Sequence, residues 1–519
     1  MSGGSRSSRG RRRSRSRRSG APQGTAWARF KEDLREMKGR YLKQTSTEHK
    51  RLVLLLIILG AALRAVLMLR PITGDEALAH MVFGRQPVGA LLADYSLPAN
   101  HLLHTLLAKW STGLFGVSAF ALRLPAAVAG VLLLPFYYLF VRAMFNRYIA
   151  LMALALAAVF PAQAEVSALA HGYSITWLAL SVALVLGRHL IKENNPWSGI
   201  LIGLVLAIGM WAHPSMLFGA IAVLLWLLFS VLGKYERSLN ERLVVLGITT
   251  AVFIAAALLV YLPIVVAHGV DQLLQHLFEQ QPAWKAFSLA YPDQALGLWA
   301  WLTDPVTGWV GLLGFIALVH AAYISVKFRV LLLALVLGAV PLTVALRDVG
   351  EPVRWSYALL IFHLGSAIAL FYLLKFVQDK LIPSFAKRGR TAIAALTLAT
   401  GFGLAALFNA ERFDPYGRLP EAAPAADYLR TAMGPGDRYC ASPGWEHPIG
   451  FELLAARQAA AMETGSLKPG QTVFAVLERP SKLGLELTLL RCGIALEEAG
   501  PPEVVRDWPR LEIFAARKR

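Results

Sequence analysis

Two adjacent carboxylates, Asp75 and Glu76 in the run Thr73-Gly74-Asp75-Glu76, follow the first long apolar stretch and stand close to Arg70. A pair of this kind supports acid–base chemistry, in which one carboxylate takes a proton from a hydroxyl while the other orients it or helps hold a metal. The same residues also suit a structural task, since acids in the first turn of a helix cap it and complement its dipole. Further polar residues recur at the ends of later apolar stretches. Glu165 and His171-Gly172-Tyr173 open the fourth, His213 ends the fifth, and Glu351, Arg354 and Tyr357 flank the tenth. Arginine suits a phosphate because its planar fork gives two charge-assisted bonds, so Arg354 is a candidate for one and Lys285 a further candidate. His101 and His104 form either an interfacial face or a metal pair, without a third ligand of matching spacing. Taken singly, His171 and His213 also read as satisfied polar residues inside a helix bundle. Arg64 sits within the first apolar stretch, roughly 16 Å from Asp75 at 1.5 Å per residue, which points to packing or a lipid headgroup rather than to pairing.

The elements that must position these residues are membrane spans. The chain is 56% apolar and only 16% charged, with a mean hydropathy of +0.50, where a soluble chain carries roughly a quarter charged residues. Apolar runs of about 17–25 residues recur, each long enough to cross a hydrocarbon core. The net charge of +19 is concentrated before Arg51. Ser5 to Ser19 is an Arg/Ser run without apolar periodicity, so residues 1–50 read as a disordered cytosolic arm that orients the protein. Such an arm can touch anionic lipid or RNA, and no specific nucleic-acid partner is expected. It is too long for the n-region of a signal peptide, and Arg70-Pro71 stands where small cleavage-site residues belong.

If Leu52–Leu69 runs outward from the arm, the later spans fall at Ala121–Val141, Tyr148–Phe160, Val166–Leu186, Trp197–Trp211, Ser215–Leu232 and Leu243–Val266. Trp309–Val326, Val330–Leu346, Trp355–Phe376 and Thr391–Phe408 complete the set. Nearly every Lys/Arg cluster then lies on the arm's side, including Arg142, Arg147, Lys234, Arg237 and Lys387. Counting Leu102–Phe115 as a span would invert them, so it is placed at the outer interface. The expected fold class is an all-α polytopic bundle of about 11 transmembrane helices with a small extracytoplasmic α/β domain at the C-terminus. Residues 51–409 form the membrane domain, with external loops 71–120 and 268–308, and residues 410–519 the external domain. In that domain Thr472–Leu477 and Leu511–Ala515 read as strands, Ala425–Ala432 and Pro448–Ala456 as helices. Two cysteines, Cys440 and Cys492, are too few for a disulfide scaffold, and spacing leaves their pairing open. Phosphate-binding P-loop, dinucleotide glycine and HExxH patterns are missing, which argues against an ATP-driven pump and a zinc protease.

The ordered set carries a resemblance. Asp75-Glu76 is followed by Asn100-His101-Leu102-Leu103, Leu114-Phe115-Gly116-Val117-Ser118 and Ala121-Leu122-Arg123-Leu124-Pro125. Together with Phe160-Pro161, Ala170-His171-Gly172-Tyr173-Ser174 and Pro352-Val353-Arg354-Trp355, it resembles the protein O-mannosyltransferase-like family 39 of the GT-C glycosyltransferases, which includes the lipid A aminoarabinose transferases. The similarity runs from Leu52 to Phe376 and omits the C-terminal domain. It implies transfer of a sugar, with inversion, from a polyprenyl-phosphate carrier to a protein, lipid or glycan acceptor outside the cytosol. It implies Asp75 as general base, Glu76 in support, Arg354 on the leaving phosphate, His101 and Tyr173 lining the site, and Glu165 as a loose match to a second acidic group, while His171 and Tyr357 join the lining from their place on the same side. The family commonly has Arg before the aromatic where His171-Gly172-Tyr173 stands here, and proline after His101 where Leu102 stands. A divalent cation is compatible with the acid pair and not required by it.

A transporter or flippase of a lipid-linked envelope precursor is the alternative from another class, and a catalytically dead scaffold a third. A transporter should show repeated halves and broken helices near the midplane. No convincing repeat is visible, and the polar residues favour one face. The Ala/Arg/Leu-rich usage points to a bacterial inner membrane, with the N-terminus cytosolic and the C-terminus outside.

Overall fold

A computed structural model describes residues 25–39, 45–233, 238–278, 281–304, 308–347, 349–380, 387–408, 417–457, 466–479 and 484–518. The Arg/Ser run and the basic residues Lys234 and Arg237 lie outside the described residues. The first element is an amphipathic helix, α1 (Ala26–Lys38), whose Phe30 is buried. There follow α2 (Thr47–Leu67), α3 (Gly74–Leu78) with a π-helical turn over Ala79–Gly84, α4 (Val88–Ala93), α5 (Leu102–Phe115) and α6 (Ala119–Met144). Next come α7 (Arg147–Val159), α8 (Pro161–Val166), α9 (Tyr173–Glu193), α10 (Pro196–Ala212), α11 (Met216–Val231) and α12 (Leu239–His268). α13 (Asp271–Phe278), α14 (Trp284–Thr303), α15 (Gly308–Ile324), α16 (Val326–Leu346), α17 (Ala358–Lys380) and α18 (Lys387–Phe408) complete the membrane domain.

The sequence marks many of these starts. Ser118, Asn146 and Asn195 accept hydrogen bonds from the first-turn amides of α6, α7 and α10, satisfying donors that a helix cannot pair internally. Six helices, α6, α9, α12, α16, α17 and α18, are long and apolar enough to cross a membrane. α7, α10, α11 and α15 are apolar but shorter, and α2 carries Glu48, Lys50, Arg51 and Arg64 within its apolar sequence. The chain is a mostly helical polytopic membrane protein, and a helix stands at every predicted span.

Two regions differ from the sequence reading. The fourth span was expected from Val166, yet α9 starts at Tyr173. Pro161 sits at the first position of the short α8, and residues 167–172 turn before α9 begins. Apolarity alone does not reveal that break. Loop 268–308 is largely helical, as α13 and α14, with Pro292 inside α14.

The two ends of the bundle are distinct. At one end α1 docks on α9 and α10: His189 meets Asp33 at 3.2 Å, Asn195 donates to the Ala26 carbonyl at 3.1 Å, and Trp27 packs on Trp197. Arg142 donates to Thr45 at the same end. The acid pair lies past the other end of α2, roughly 30 Å away along a 21-residue helix.

The C-terminal domain comprises α19 (Ala422–Ala432), β1 (Arg438–Ala441), α20 (Glu446–Ala455), β2 (Thr472–Glu478), α21 (Leu485–Arg491), β3 (Glu503–Trp508) and β4 (Leu511–Arg517). Its mixed sheet has the order β1-β2-β4-β3, with β1 parallel to β2 and β4 antiparallel to both neighbours. Side chains alternate across it as a strand requires. Tyr439, Ala441, Phe474 and Val476 pack with Trp445 and Ile449 on one face, while Cys440, Val473 and Ala475 pack with Leu489 on the other. Cys440 and Cys492 are joined in a disulfide, with Cα atoms 6.3 Å apart.

Candidate active site

The two acids have different surroundings. Thr73 caps α3: its hydroxyl accepts from the Glu76 amide at 3.3 Å, and Glu76 Oε2 accepts in return from the Thr73 amide at 3.0 Å. This reciprocal capping box fixes the entry of the helix. Glu76 is fully buried and grips Arg123 with both oxygens, Oε1 to Nε at 2.7 Å and Oε2 to Nη2 at 2.6 Å. The Ala170 amide adds a bond to Oε1 at 2.7 Å. Arg123 also donates to the carbonyls of Met68 at 3.0 Å, Arg70 at 2.6 Å and Pro71 at 2.9 Å, so one guanidinium knits the end of α2 to the acid loop. Burial alone would raise the Glu76 pKa, but Arg123 and the Ala170 amide outweigh it and bring it down to about 2. Asp75, next to it, is half-buried in the first turn of α3. The pair therefore divides into an anchored acid and an available one.

Beyond the acids lies a cluster of rings. His171 packs on His101 with centroids 4.8 Å apart, and His101 on His213 at 4.7 Å. Tyr173 stands 4.5 Å from His213 and 5.5 Å from His101. Gly172 makes this packing possible. Its amide donates to His101 Nδ1 at 2.8 Å, and a Cβ at this position would overlap the Ala212 carbonyl that ends α10. His213 Nδ1 accepts from the Ser215 amide at 3.0 Å. Both histidines therefore use Nδ1 as an acceptor and carry the proton on Nε2 when neutral. Burial first, then neighbouring cations and histidines, holds His101 well below the ordinary histidine range and His213 at about 3.

Arg354 closes the far side. Gly350, at a φ of +70°, lets the chain fold back over the guanidinium before the 3-10 turn Pro352–Trp355. The charge of Arg354 acts on His213 and on Tyr95, whose hydroxyl is raised to about 12 by burial against that pull. The side chain is exposed, unlike the histidines behind it.

The structure thus brings His101, His171, Tyr173 and Arg354 to the same end as Asp75 and Glu76. Glu165 also lies there, fully buried, but it forms an ion pair with Arg418 of the C-terminal domain. Tyr357 is half-buried one turn beyond Arg354 and stacks near Trp355, with centroids 6.0 Å apart. Lys285 is exposed on α14 and has no described bond to this cluster. His104 is buried behind His101. Among the described residues no group of three or more His, Cys, Asp or Glu is arranged to hold a metal ion.

In the sequence reading Arg123 stands only within the run Ala121–Pro125 and carries no role, and Arg418 and Tyr95 are not singled out. The signal for Arg123 was an arginine inside an apolar run, a position where a charge needs a partner. Arg64 is explained by the same rule. It donates to the carbonyls of Ala158 at 2.7 Å and Ala157 at 3.3 Å, the last turn of α7 before Pro161 ends that helix. A guanidinium there satisfies orphan acceptors and complements the negative helix end.

Comparison with known proteins extends this picture. The sequence model of the dolichyl-phosphate-mannose-protein mannosyltransferase family matches residues 100–261, a stretch that begins downstream of the acid pair. A search of curated proteins returns no match. Among solved structures, ArnT from Cupriavidus metallidurans bound to undecaprenyl phosphate is 14% identical with a TM-score of 0.59, over 89% of this chain and 97% of that one. The apo form of the same protein gives 14% identity and a TM-score of 0.57 over the same shares. The superposed part is too large to leave out the whole C-terminal domain, to which the sequence resemblance did not extend. The chain has the GT-C fold of ArnT, and residues 100–261 carry the signature of the dolichyl-phosphate-mannose-protein mannosyltransferases.

Proposed function

We propose that this protein is a membrane glycosyltransferase that moves a sugar from a polyprenyl-phosphate donor to an acceptor hydroxyl outside the cytosol. The observation that carries the reading is the continuity of one polar site. An available carboxylate, a buried run of neutral imidazoles and an exposed guanidinium lie together where α2 ends, and ArnT, which shares the fold, was solved with undecaprenyl phosphate.

In the reaction Asp75 accepts the proton of the acceptor hydroxyl as that oxygen attacks the anomeric carbon. The bond from that carbon to the phosphate oxygen breaks, and polyprenyl phosphate leaves with the electron pair. Developing negative charge on the phosphate is met by Arg354 through charge-assisted hydrogen bonds. Displacement in a single step inverts the anomeric centre. Glu76 does not share the proton: held near a pKa of 2 and committed to Arg123, it fixes the loop that aims Asp75. His101 and Tyr173 line the path between base and phosphate, and neutral imidazoles there add polarity without competing for the donor's charge. Tyr357 and His171 flank it.

Eleven spans, a cytosolic N-terminus and an external C-terminal domain fit this chemistry. The disulfide in that domain agrees with an oxidising compartment, and a bacterial inner membrane is the setting we favour. The deciding experiment gives purified protein labelled polyprenyl-phosphate sugars and measures release of polyprenyl phosphate, with Asp75→Asn in parallel. Movement of intact carrier between leaflets without release would replace this reading with a flippase.

A further inference from the structure

The acid loop is held from two directions, and the second hold comes from the C-terminal domain. From the membrane domain Arg123 binds the carbonyls of Met68, Arg70 and Pro71. From the opposite direction Thr73 pairs with Arg418 as an isolated antiparallel bridge, and the Leu419 amide donates to the Ile72 carbonyl at 3.1 Å. The Arg418 side chain reaches further in. Nη1 donates to the Pro71 carbonyl at 3.3 Å, and Nη2 pairs with Glu165, the two side chains being 4% and 0% exposed. Arg418 is steadied in turn by Arg510, which donates to its carbonyl at 2.8 Å and pairs with Glu421. Above them α20 lays Phe451 against Ile72 and Ala77.

We propose that Arg418 is a positioning residue of the active site, contributed by the external domain. It clamps two segments to each other: the loop that leads into Asp75, and the segment Glu165–Ala170, whose Ala170 amide binds Glu76. This rests on the reading of Asp75 as the base. The clamp acts on the acid side and leaves Arg354 untouched, so its loss lowers turnover without weakening capture of the donor phosphate. A domain outside the sequence resemblance thereby sets the geometry of the reaction.

The test uses the full-length protein in detergent, with Arg418→Gln, Arg418→Lys, the double variant Arg418→Gln/Glu165→Gln, and Arg479→Gln as a control. Arg479 pairs with Glu512 and Asp507 within the C-terminal domain alone. Two readouts are taken: kcat and KM for a labelled polyprenyl-phosphate sugar, and hydrogen exchange of the Thr73, Glu76 and Leu419 amides. Arg418→Gln is expected to lower kcat by about tenfold or more while donor KM stays within about twofold. Exchange at the three amides rises together with the loss of kcat. The double variant, free of an unpaired buried carboxylate, folds but keeps the low kcat. Arg418→Lys is intermediate, because an ammonium keeps the charge but not the fork that spans Glu165 and Pro71. Native kcat in the double variant, unchanged exchange in Arg418→Gln, or an equal kcat loss in Arg479→Gln would overturn the proposal. An inactive native protein whose loop exchange still rises in Arg418→Gln would sink the transferase reading and leave the clamp standing.

Discussion

Replacing Glu76 by glutamine keeps the shape of the side chain and removes the charge that Arg123 faces inside the protein. Four donors converge on the carboxylate: Arg123 Nε and the Ala170 amide on Oε1, Arg123 Nη2 and the Thr73 amide on Oε2. An amide accepts through one oxygen only. Its NH₂ must then face two of these donors, and a fully buried guanidinium loses its counter-ion. Breaking a buried pair in this way costs about 3–5 kcal/mol. A second route gives a similar figure. A carboxyl pKa brought from 4.5 to about 2 by folding corresponds to about 3.5 kcal/mol at roughly 1.4 kcal/mol per unit.

The sign of the linkage fixes the pH window. The folded pKa lies below the unfolded one, so the stabilisation is complete above about 4.5 and drains away as pH falls toward about 2. Thermal unfolding of the detergent-solubilised protein, followed by tryptophan fluorescence, reads both effects. Glu76→Gln should melt well below the native protein at neutral pH, and the gap should close as acid protonates the native carboxylate. Arg123→Gln should be worse than Glu76→Gln, since it also strips donors from three carbonyls at the end of α2. Asp75→Asn should melt with the native protein, within about 0.5 kcal/mol as expected for a group outside such a network, while turnover drops by about 10²–10⁴-fold. A Glu76→Gln protein that is as stable as the native one and yet inactive would refute the argument, making Glu76 a reacting carboxylate.

Three further outcomes follow from the structure. Arg64→Leu leaves the Ala157 and Ala158 carbonyls without their donor, at a cost of about 1–3 kcal/mol for each, and thermal unfolding in detergent measures it. His101 and His213 are held neutral by burial, with pKa values below the unfolded one. The unfolded chain binds their protons first, so stability should decline as pH falls below about 6.5 and hold steady above it, as a pH series of melts would reveal. Replacing Cys440 and Cys492 by serine frees a loop closed over 52 residues. Chain entropy puts that near 4 kcal/mol, roughly, visible as earlier proteolysis of the C-terminal domain with the membrane helices intact.

Much of this architecture was legible because bilayers and sheets impose simple periods. The apolar run Leu102–Phe115 is a helix, α5, with the bounds that the sequence suggests. The alternation of Thr472–Leu477 and Leu511–Ala515 announced β2 and β4, which lie side by side. What stayed hidden depends on contacts between distant residues. The apolar residues Val166, Ala168, Leu169 and Ala170 read as the start of a span, and nothing local to them showed that the chain first makes α8 and a turn before α9 begins at Tyr173. Lys285 lies in a segment that the sequence marks as a loop, and it stands exposed on a helix instead. Arg418 gave no local signal, since its partner Glu165 is some 250 residues earlier, far beyond the reach of any reading by periodicity.

The adjacency of Asp75 and Glu76 suggested two carboxylates sharing one task, and the structure argues for the opposite. Successive residues in the first turn of a helix point in directions about 100° apart, so one cannot be packed without the other being turned away from the same wall. Thr73 decides which: the capping box draws Glu76 inward to the Thr73 amide and thence to Arg123, leaving Asp75 half-exposed. The buried acid gives up proton chemistry and gains rigidity. The other acid stays half-exposed, outside that network. In the proposed reaction two carboxylates side by side thus serve as one base on a fixed mount, and that division follows from helix geometry before any substrate arrives.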